Sequence, residues 1–357
     1  MYITKDGFSY HTFLITMKIK YDEFMNILNK LYLINNDIYT GKIYCTKENI
    51  IISEQFRNQG IIIKLKKKKS KPSYISLKVN PRFLIGRYEY EGIFPCNANN
   101  ISIVQNKIDN ILNLIKAEFT FNDMTLSRID LCVNVDTSDD EITDAYMRLI
   151  KRCFIPYNYN RVRFKKDREN YKEKNNNSFS AYSPMITFSI YDKNYQMHDQ
   201  NLPKSIEYKD SEILRIEVTL KRDAIYQIVS SASDNALDNN EVLSFFGKKS
   251  KEIILANVHK FFQIGNYAPF KDAKLIIQNS NYRKSDKKHM LYLLTMNSKC
   301  KNMNTAVKKT MNEHNLSTYQ VNNIIDKFDA LNVNPITLTN NQSHIKMLPS
   351  IYDLLNQ

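Results

Sequence analysis

The chain has 357 residues, of which 43% are hydrophobic, so it is long enough for two or three domains and can bury a sizeable core. Its net charge of +14 points to an anionic partner, and we expect nucleic acid, although an AT-rich coding sequence would also enrich lysine. No apolar run approaches the roughly 20 residues of a membrane span, and the five cysteines lack zinc or redox spacing, so we expect a cytoplasmic protein without membrane contact.

Residues 1–100 are predicted to form an N-terminal α+β region. Residues 13–19 alternate as a strand, residues 21–33 have helical spacing, and residues 60–65 and 74–79 form a hairpin. A lysine run at the hairpin tip is either a solvated turn or a clamp for phosphates. This region is either separate or part of the same sheet as the strands that follow.

The strand predicted at residues 126–136 divides its side chains between an apolar and a polar face. The apolar face consists of Ile129, Leu131, Val133 and Val135, and the polar face of Arg128, Asp130, Cys132, Asn134 and Asp136. Residues 185–193 and 213–221 repeat this alternation. If the three strands share a sheet, Asp130, Tyr191 and Glu217 lie on one open face.

A polar stretch at residues 157–177 interleaves cations with aromatic rings. Cations track the phosphates of a single-stranded nucleic acid and rings stack on its bases, although an unstructured loop would have a similar composition. The candidate nucleic-acid contacts, here and on the neighbouring strands, are Arg128, Arg161, Arg163, Lys165, Lys166 and Arg215.

The segment 101–265 is the predicted catalytic core, because it contains the three polar-faced strands. Its predicted helices lie at 100–117, 139–152 and 240–263.

Residues 285–357 are predicted to form a C-terminal helical region. Helices at 304–313 and 318–331 flank a tight turn with Ser317 as N-cap. This is the outline of a helix-turn-helix, and its function is either DNA contact or that of a helical cap.

The acidic side chains of the polar face are candidate ligands for Mg²⁺ or Mn²⁺, which prefer carboxylate oxygens. Asp130 and Asp136 are about 20 Å apart if one strand carries both, so they cannot share an ion, whereas Asp130 and Glu217 can. The sequence has no His-hydrophobic-His pair, so we expect carboxylates to supply most of the ligands. Alternatively, Arg128 and Arg215 neutralise these acids as salt bridges.

Tyr191 is the candidate nucleophile, since a phenol attacks a phosphodiester once a metal polarises the phosphate and a neighbour accepts the proton. Lys193, further along the same side of the predicted strand, would stabilise the developing charge. Tyr195 and Tyr182 are alternative nucleophiles.

Three motifs in this order resemble the replication initiation factor family, the rolling-circle initiators of small plasmids, phages and mobile elements. They are Arg128-Ile129-Asp130-Leu131, Ser189-Ile190-Tyr191-Asp192-Lys193 and Leu214-Arg215-Ile216-Glu217-Val218. The resemblance implies a metal-dependent endonuclease that nicks one strand, forms a 5′-phosphotyrosyl link and leaves a free 3′-hydroxyl primer. The matching residues are Tyr191 as nucleophile, with Asp130 and Glu217 at the metal.

The resemblance also implies partners and a fold. The partner would be origin DNA with a single-stranded or cruciform nick site, with a host helicase and polymerase as further candidates; a homodimer is compatible with this role. The implied fold is α+β: a central antiparallel sheet with helices packed on one face, plus a small C-terminal helical domain. Two departures leave the metal ligands open: residues 178–184 lack the glycines of the family, and Asn134 stands where relatives carry another acid.

Three other functions compete with this one. A conjugative relaxase would use the same chemistry at a different origin. A non-catalytic DNA-binding regulator would use the basic stretches and the C-terminal helices, and its acids would form salt bridges. An RNA-binding sheet would stack bases on its open face, but Tyr191 is the lone aromatic side chain that the three key strands place there.

Overall fold

The computed structural model describes residues 1–34, 41–67, 73–162, 177–233, 235–339, 342 and 344–356. The strands are β1 (Tyr2–Ile19), β2 (Ile43–Cys45), β3 (Ile50–Ser53), β4 (Ile61–Lys66), β5 (Ser73–Val79), β6 (Thr125–Asp136), β7 (Asn160–Arg161), β8 (Ser178–Tyr182), β9 (Ile186–Asp192) and β10 (Ile213–Lys221). The helices are α1 (Tyr21–Leu33), α2 (Pro81–Leu84), α3 (Ala98–Leu114), α4 (Asp140–Ile150), α5 (Lys193–Asp199), α6 (Arg222–Ala232), α7 (Asn239–Phe261), α8 (Phe270–Asn279), α9 (Lys284–Lys299), α10 (Met303–His314), α11 (Thr318–Ala330) and α12 (Ile351–Asn356).

The described strands form one antiparallel sheet in the order β2-β3-β4-β5-β1-β6-β10-β9-β8-β7. The long strand β1 pairs with β5 on one side and with β6 on the other. The strands of the N-terminal region therefore belong to the same sheet as the strands of the predicted catalytic core. The α+β prediction is confirmed, with the helical region at the C-terminus.

One face of the sheet is apolar because β6, β9 and β10 alternate as predicted. Ile129, Leu131 and Val133 are fully buried on this face. The long helix α7 packs against it, and the ring of Phe188 on β9 stacks on Phe261 of α7 with ring centroids 4.6 Å apart. Burying this face is the main stabilising contribution of the central sheet.

Several element boundaries differ from the sequence prediction. The strand expected at 13–19 begins at Tyr2. The strand expected to reach residue 193 ends at Asp192, because the Asp192 side chain accepts the N–H of Tyr195 and caps α5. Lys193 therefore begins a helix and does not continue the strand. Helix α8 was not predicted.

The C-terminal helices have a hydrophobic cluster of their own. Met290, Leu293 and Phe328 are fully buried within it. Asn315 has a left-handed backbone with φ 50°, and Ser317 caps α11 by accepting the N–H of Gln320. The predicted helix–turn–helix elements are confirmed, whereas their contact with DNA and the predicted domain boundaries stay predictions. Among the described residues, no helix is both long and apolar enough to cross a membrane.

Replacing Phe188 with alanine tests the packing of the sheet on α7. Because the ring is fully buried, we expect Phe188→Ala to lower the free energy of unfolding by about 3–5 kcal/mol, measured by urea denaturation. The control Tyr226→Ala removes a ring that is 73% exposed and should change it by about 0.5 kcal/mol or less. A loss below about 1 kcal/mol for Phe188→Ala would contradict the packing.

Candidate metal centre

The pairing of β6, β9 and β10 brings the predicted acids and the tyrosine together. Asp130 on β6 lies opposite Thr219 on β10, and Glu217 lies opposite Cys132 and Ser189. These positions place Asp130, Glu217 and Tyr191 on the polar face of the sheet. The Tyr191 hydroxyl donates a hydrogen bond of 3.1 Å to Glu217 Oε2. The predicted convergence of these three residues is therefore found in the structure.

His11 joins this cluster because β1 has a bulge. Tyr10 pairs with Leu131 and Thr12 pairs with Asp130, so His11 is an extra residue between two adjacent pairs. Its Nε2 lies 3.8 Å from Glu217 Oε2. One candidate ligand atom from each of His11, Asp130 and Glu217 lies within 4.8 Å of the other two.

The sequence does not predict His11 as a ligand, because it has no paired histidines that would mark a metal site. A lone histidine in an alternating strand carries no metal signal by itself, and the bulge that turns it depends on pairing with a strand more than 100 residues later. The expectation that carboxylates supply most of the ligands agrees with two of the three members of the cluster.

Asp130 is buried, and both of its carboxylate oxygens accept hydrogen bonds. Its Oδ1 accepts hydrogen bonds from Arg128 Nε at 2.7 Å and from the Thr219 hydroxyl at 2.8 Å, and its Oδ2 accepts one from the Thr12 hydroxyl. Burial opposes ionisation, but the charge of Arg128 and the hydrogen bonds from Arg128 and Thr12 hold the pKa of Asp130 below its usual value. The predicted salt bridge of Arg128 is thus present, and Asp130 is a carboxylate at neutral pH.

Burial shifts the pKa values of the other two members of the cluster, Glu217 and His11. Burial and the neighbouring Asp130 raise the pKa of Glu217 to about 7. Burial and the charge of Arg215 lower the pKa of His11 to about 3. His11 is therefore neutral at neutral pH and keeps a lone pair that can bind a cation.

The donor set fits a small divalent cation. Two carboxylates and one imidazole suit Mn²⁺, and the oxygen-rich set is also compatible with Mg²⁺. Such ions hold their ligands at about 2.0–2.2 Å, and ligand atoms already within 4.8 Å of one another need only small side-chain movements to reach one ion.

Asp136 lies outside the cluster, at the far end of β6. Its carboxylate accepts hydrogen bonds from the Tyr2 hydroxyl at 3.1 Å and from the Ser138 N–H at 2.8 Å. These contacts give Asp136 a structural role, in line with the expectation that it cannot share an ion with Asp130.

The predicted catalytic residues lie on different elements, Tyr191 on β9 and Lys193 on α5. Burial and the adjacent Glu217 raise the pKa of Tyr191 well above its ordinary value. Lys193, at the start of α5, is buried, and its Nζ donates to Gln196 Oε1 at 2.8 Å. Tyr195 lines the same cleft as Tyr191, whereas Tyr182 stands 45% exposed at the end of β8, away from the cleft walls.

The predicted nucleic-acid contacts differ in their exposure to solvent and in their hydrogen-bond partners. Arg215 is fully buried, and its guanidinium donates to Asn134 Oδ1 at 2.8 Å and to the carbonyl oxygen of Glu91. Its guanidinium is therefore held mainly by internal partners, and its predicted contact with nucleic acid stays a prediction. Arg128 is 45% exposed, and Arg161 donates to the carbonyl oxygen of Lys151. Arg163, Lys165 and Lys166 lie outside the described residues.

The cluster opens into a cleft of about 400 Å³, which we name the metal cleft. Three serines from β8 and β9, which the sequence did not single out, line it: Ser178, Ser180 and Ser189. The hydroxyls of Ser180 and Ser189 are 2.8 Å apart. Helix α5 forms another wall with Tyr195, Gln196 and Asp199. The cleft is wide enough for a phosphate group with part of its nucleotide.

Comparison with solved structures found likenesses of low similarity. No protein-family model and no curated protein sequence match the chain. Among solved structures, the chain is similar to a rolling circle replication initiator protein from Geobacillus stearothermophilus, with 10% sequence identity and a TM-score of 0.36. The match covers 71% of this chain and 85% of that one.

Substitution of the ligands tests the metal centre. We expect Asp130→Asn and His11→Ala each to weaken Mn²⁺ binding by about tenfold or more, measured by isothermal titration calorimetry, because each removes a donor atom. Asp136→Asn is the matched control, since it makes the same change on the same face of the same strand, and its affinity should stay within about twofold of the parent. Equal losses in all three variants would contradict the assignment of the cluster.

Proposed function

We propose that the protein is a rolling-circle replication initiator that nicks one DNA strand through Tyr191. The observation that carries this proposal is the hydrogen bond from the Tyr191 phenol to Glu217 inside the His11–Asp130–Glu217 cluster. A nucleophile, a proton acceptor and a candidate cation site thus meet on one sheet face. The sequence motifs that resemble the initiator family contain three of these four residues.

The chemical step follows from this geometry. The phenol oxygen of Tyr191 forms a bond to phosphorus, and the bond from phosphorus to the 3′ oxygen breaks. Glu217 Oε2, which already accepts the phenol hydrogen, is placed to take the proton, and the departing 3′ oxygen gains one from solvent. The products are a 5′-phosphotyrosyl link and a free 3′-hydroxyl.

A divalent cation, Mg²⁺ or Mn²⁺, would be held by His11, Asp130 and Glu217. When bound, it supplies positive charge to the phosphate oxygens and lowers the cost of phenol ionisation. The protein itself keeps Asp130 oriented through Thr12 and Thr219. The partner is the origin DNA, presented as a single strand or at a cruciform, and host helicase and polymerase would act on the primed product.

A non-catalytic DNA-binding regulator is the second candidate, and the salt bridge between Arg128 and Asp130 favours it. In that function the acidic residues stabilise the sheet and the C-terminal helices contact DNA. DNA binding alone does not require the hydrogen bond between the largely buried side chains of Tyr191 and Glu217, so we rank the regulator second. A conjugative relaxase would share the proposed chemistry and differ only in the DNA that it recognises.

Covalent capture tests the nucleophile. We expect the full chain, incubated with Mn²⁺ and single-stranded DNA fragments of its own replicon, to form an adduct that resists SDS, because a phosphotyrosyl bond is covalent. Tyr191→Phe should abolish the adduct, and EDTA should prevent it. The matched control Tyr195→Phe removes a hydroxyl from the same cleft and should leave the adduct.

Two results would contradict this function. An adduct that persists in Tyr191→Phe but vanishes in Tyr195→Phe or Tyr182→Phe would identify Tyr195 or Tyr182, respectively, as the nucleophile. A protein that binds Mn²⁺ and DNA tightly, yet forms no adduct with any replicon fragment, would be the regulator.

A further inference from the structure

A second cleft, of about 340 Å³, adjoins the metal cleft on the same sheet face. The two clefts share five wall residues: His11, Thr12, Lys78, Tyr191 and Gln196. From this shared wall the second cleft extends across β5 towards β4 and α2. We name it the cationic cleft.

The two clefts have opposite charge. Four acids, Asp130, Asp192, Asp199 and Glu217, line the metal cleft and outnumber its two basic residues, Lys78 and Arg128. Among the described residues, no acid lines the cationic cleft, whose charged wall residues are Arg57, Lys78, Lys193 and Arg215. A cleft with this lining attracts an anion, and its low-dielectric walls strengthen the attraction.

Two of these cations are buried without an ion-pair partner among the described residues. Lys193 is 6% exposed and donates to an amide oxygen of Gln196, while Arg215 is 1% exposed and donates to Asn134 and to a backbone carbonyl. Burial and the charge of Arg215 lower the pKa of Lys193 to about 7, although the nearby acids Glu217 and Glu91 oppose this shift. A phosphate in the cleft would favour the charged form of Lys193. The Glu91 carboxylate is itself buried and accepts the Ser205 N–H.

The rest of the cationic cleft suits a nucleobase. Asn58, Asn80 and Gln200 offer amide groups that both donate and accept hydrogen bonds. The half-buried ring of Tyr90 lies 5.1 Å from that of Phe83 and forms an aromatic wall. Aromatic rings and amides together bind a base by stacking and by hydrogen bonds to its edge.

We propose that the cationic cleft binds one nucleotide of a DNA single strand, with its phosphate at Lys78 and Lys193 and its base against Tyr90. This inference rests on the proposed function and adds a position to it: the nucleotide held here is adjacent to the one whose phosphate Tyr191 attacks. Tyr191 lies in the wall between the two clefts, so a strand that occupies both passes the phenol.

Binding of thymidine 3′,5′-bisphosphate to the full chain in EDTA tests the subsite without nicking or metal. We expect binding by calorimetry, and we expect Lys78→Gln to weaken it about tenfold through loss of one phosphate contact. Lys78 is exposed, so the variant should fold. The matched control is Lys64→Gln on the adjacent strand β4, which removes the same charge outside the cleft wall and should weaken binding by less than about threefold.

The base contact has its own measurement. An analogue with tetrahydrofuran in place of the nucleoside should bind about fivefold or more weakly, because it lacks the ring that stacks. Three results would overturn the subsite: no binding in EDTA, binding that requires Mn²⁺, or equal weakening in Lys78→Gln and Lys64→Gln. Because this assay needs no covalent adduct, failure of the nicking function and failure of the subsite give separate results.

Discussion

The structure depends on how β6 carries a row of polar side chains through the middle of a ten-stranded sheet. Buried polar groups are costly unless they are hydrogen bonded, and two of those on β6, Asp130 and Asn134, have partners on neighbouring strands. Asp130 is bonded by Thr12 of β1 and Thr219 of β10, and Asn134 is bonded by Arg215 of β10. This requirement sets the register of β1 and β10 on β6, and the register in turn places His11 and Glu217 beside Asp130. The same hydrogen bonds that make the sheet possible thus assemble the candidate site.

The Asp130 carboxylate can form an ion pair with Arg128 or bind a cation, and the charges of the neighbouring residues bear on which role it has. With Arg128 at 2.7 Å, the carboxylate is neutralised as an ordinary ion pair. That pair does not account for Glu217, which is buried beside Asp130 and whose pKa is raised to about 7 by burial and by that neighbour. Two acidic side chains and a neutral imidazole lie within 4.8 Å of one another, and the negative charge of Asp130 disfavours the ionised form of Glu217. A divalent cation at this position would compensate both acids at once and would use the lone pair of His11.

Local periodicity was enough to predict the helix at Tyr21–Leu33, the strand at Ile213–Lys221 and the shared face of Asp130, Tyr191 and Glu217. It was not enough for His11, because the bulge in β1 exists only when β1 pairs with a distant strand. It also misplaced Lys193, because the strand was extended beyond Ile190, the last apolar residue of the alternation, whereas the cap by Asp192 starts a helix at Lys193. Alternation also predicted that Arg215 contacts nucleic acid. The pattern shows on which face of the sheet a side chain lies, but it does not show which residues cover that face.

The charge pattern of the polar face bears on how DNA would lie on it. Neighbouring strands are roughly 4.8 Å apart, so β9, which carries Tyr191, lies roughly 24 Å from β4 at the far side of the cationic cleft. A single strand that crosses the sheet at right angles to the strands would place several nucleotides over this distance. Its phosphates would meet cations at β5 and, at the metal cleft, acids that repel them until a divalent cation binds. Under the proposed function, cation binding would therefore control whether the scissile phosphate can approach Tyr191, while the proposed subsite would hold the neighbouring nucleotide with or without the cation.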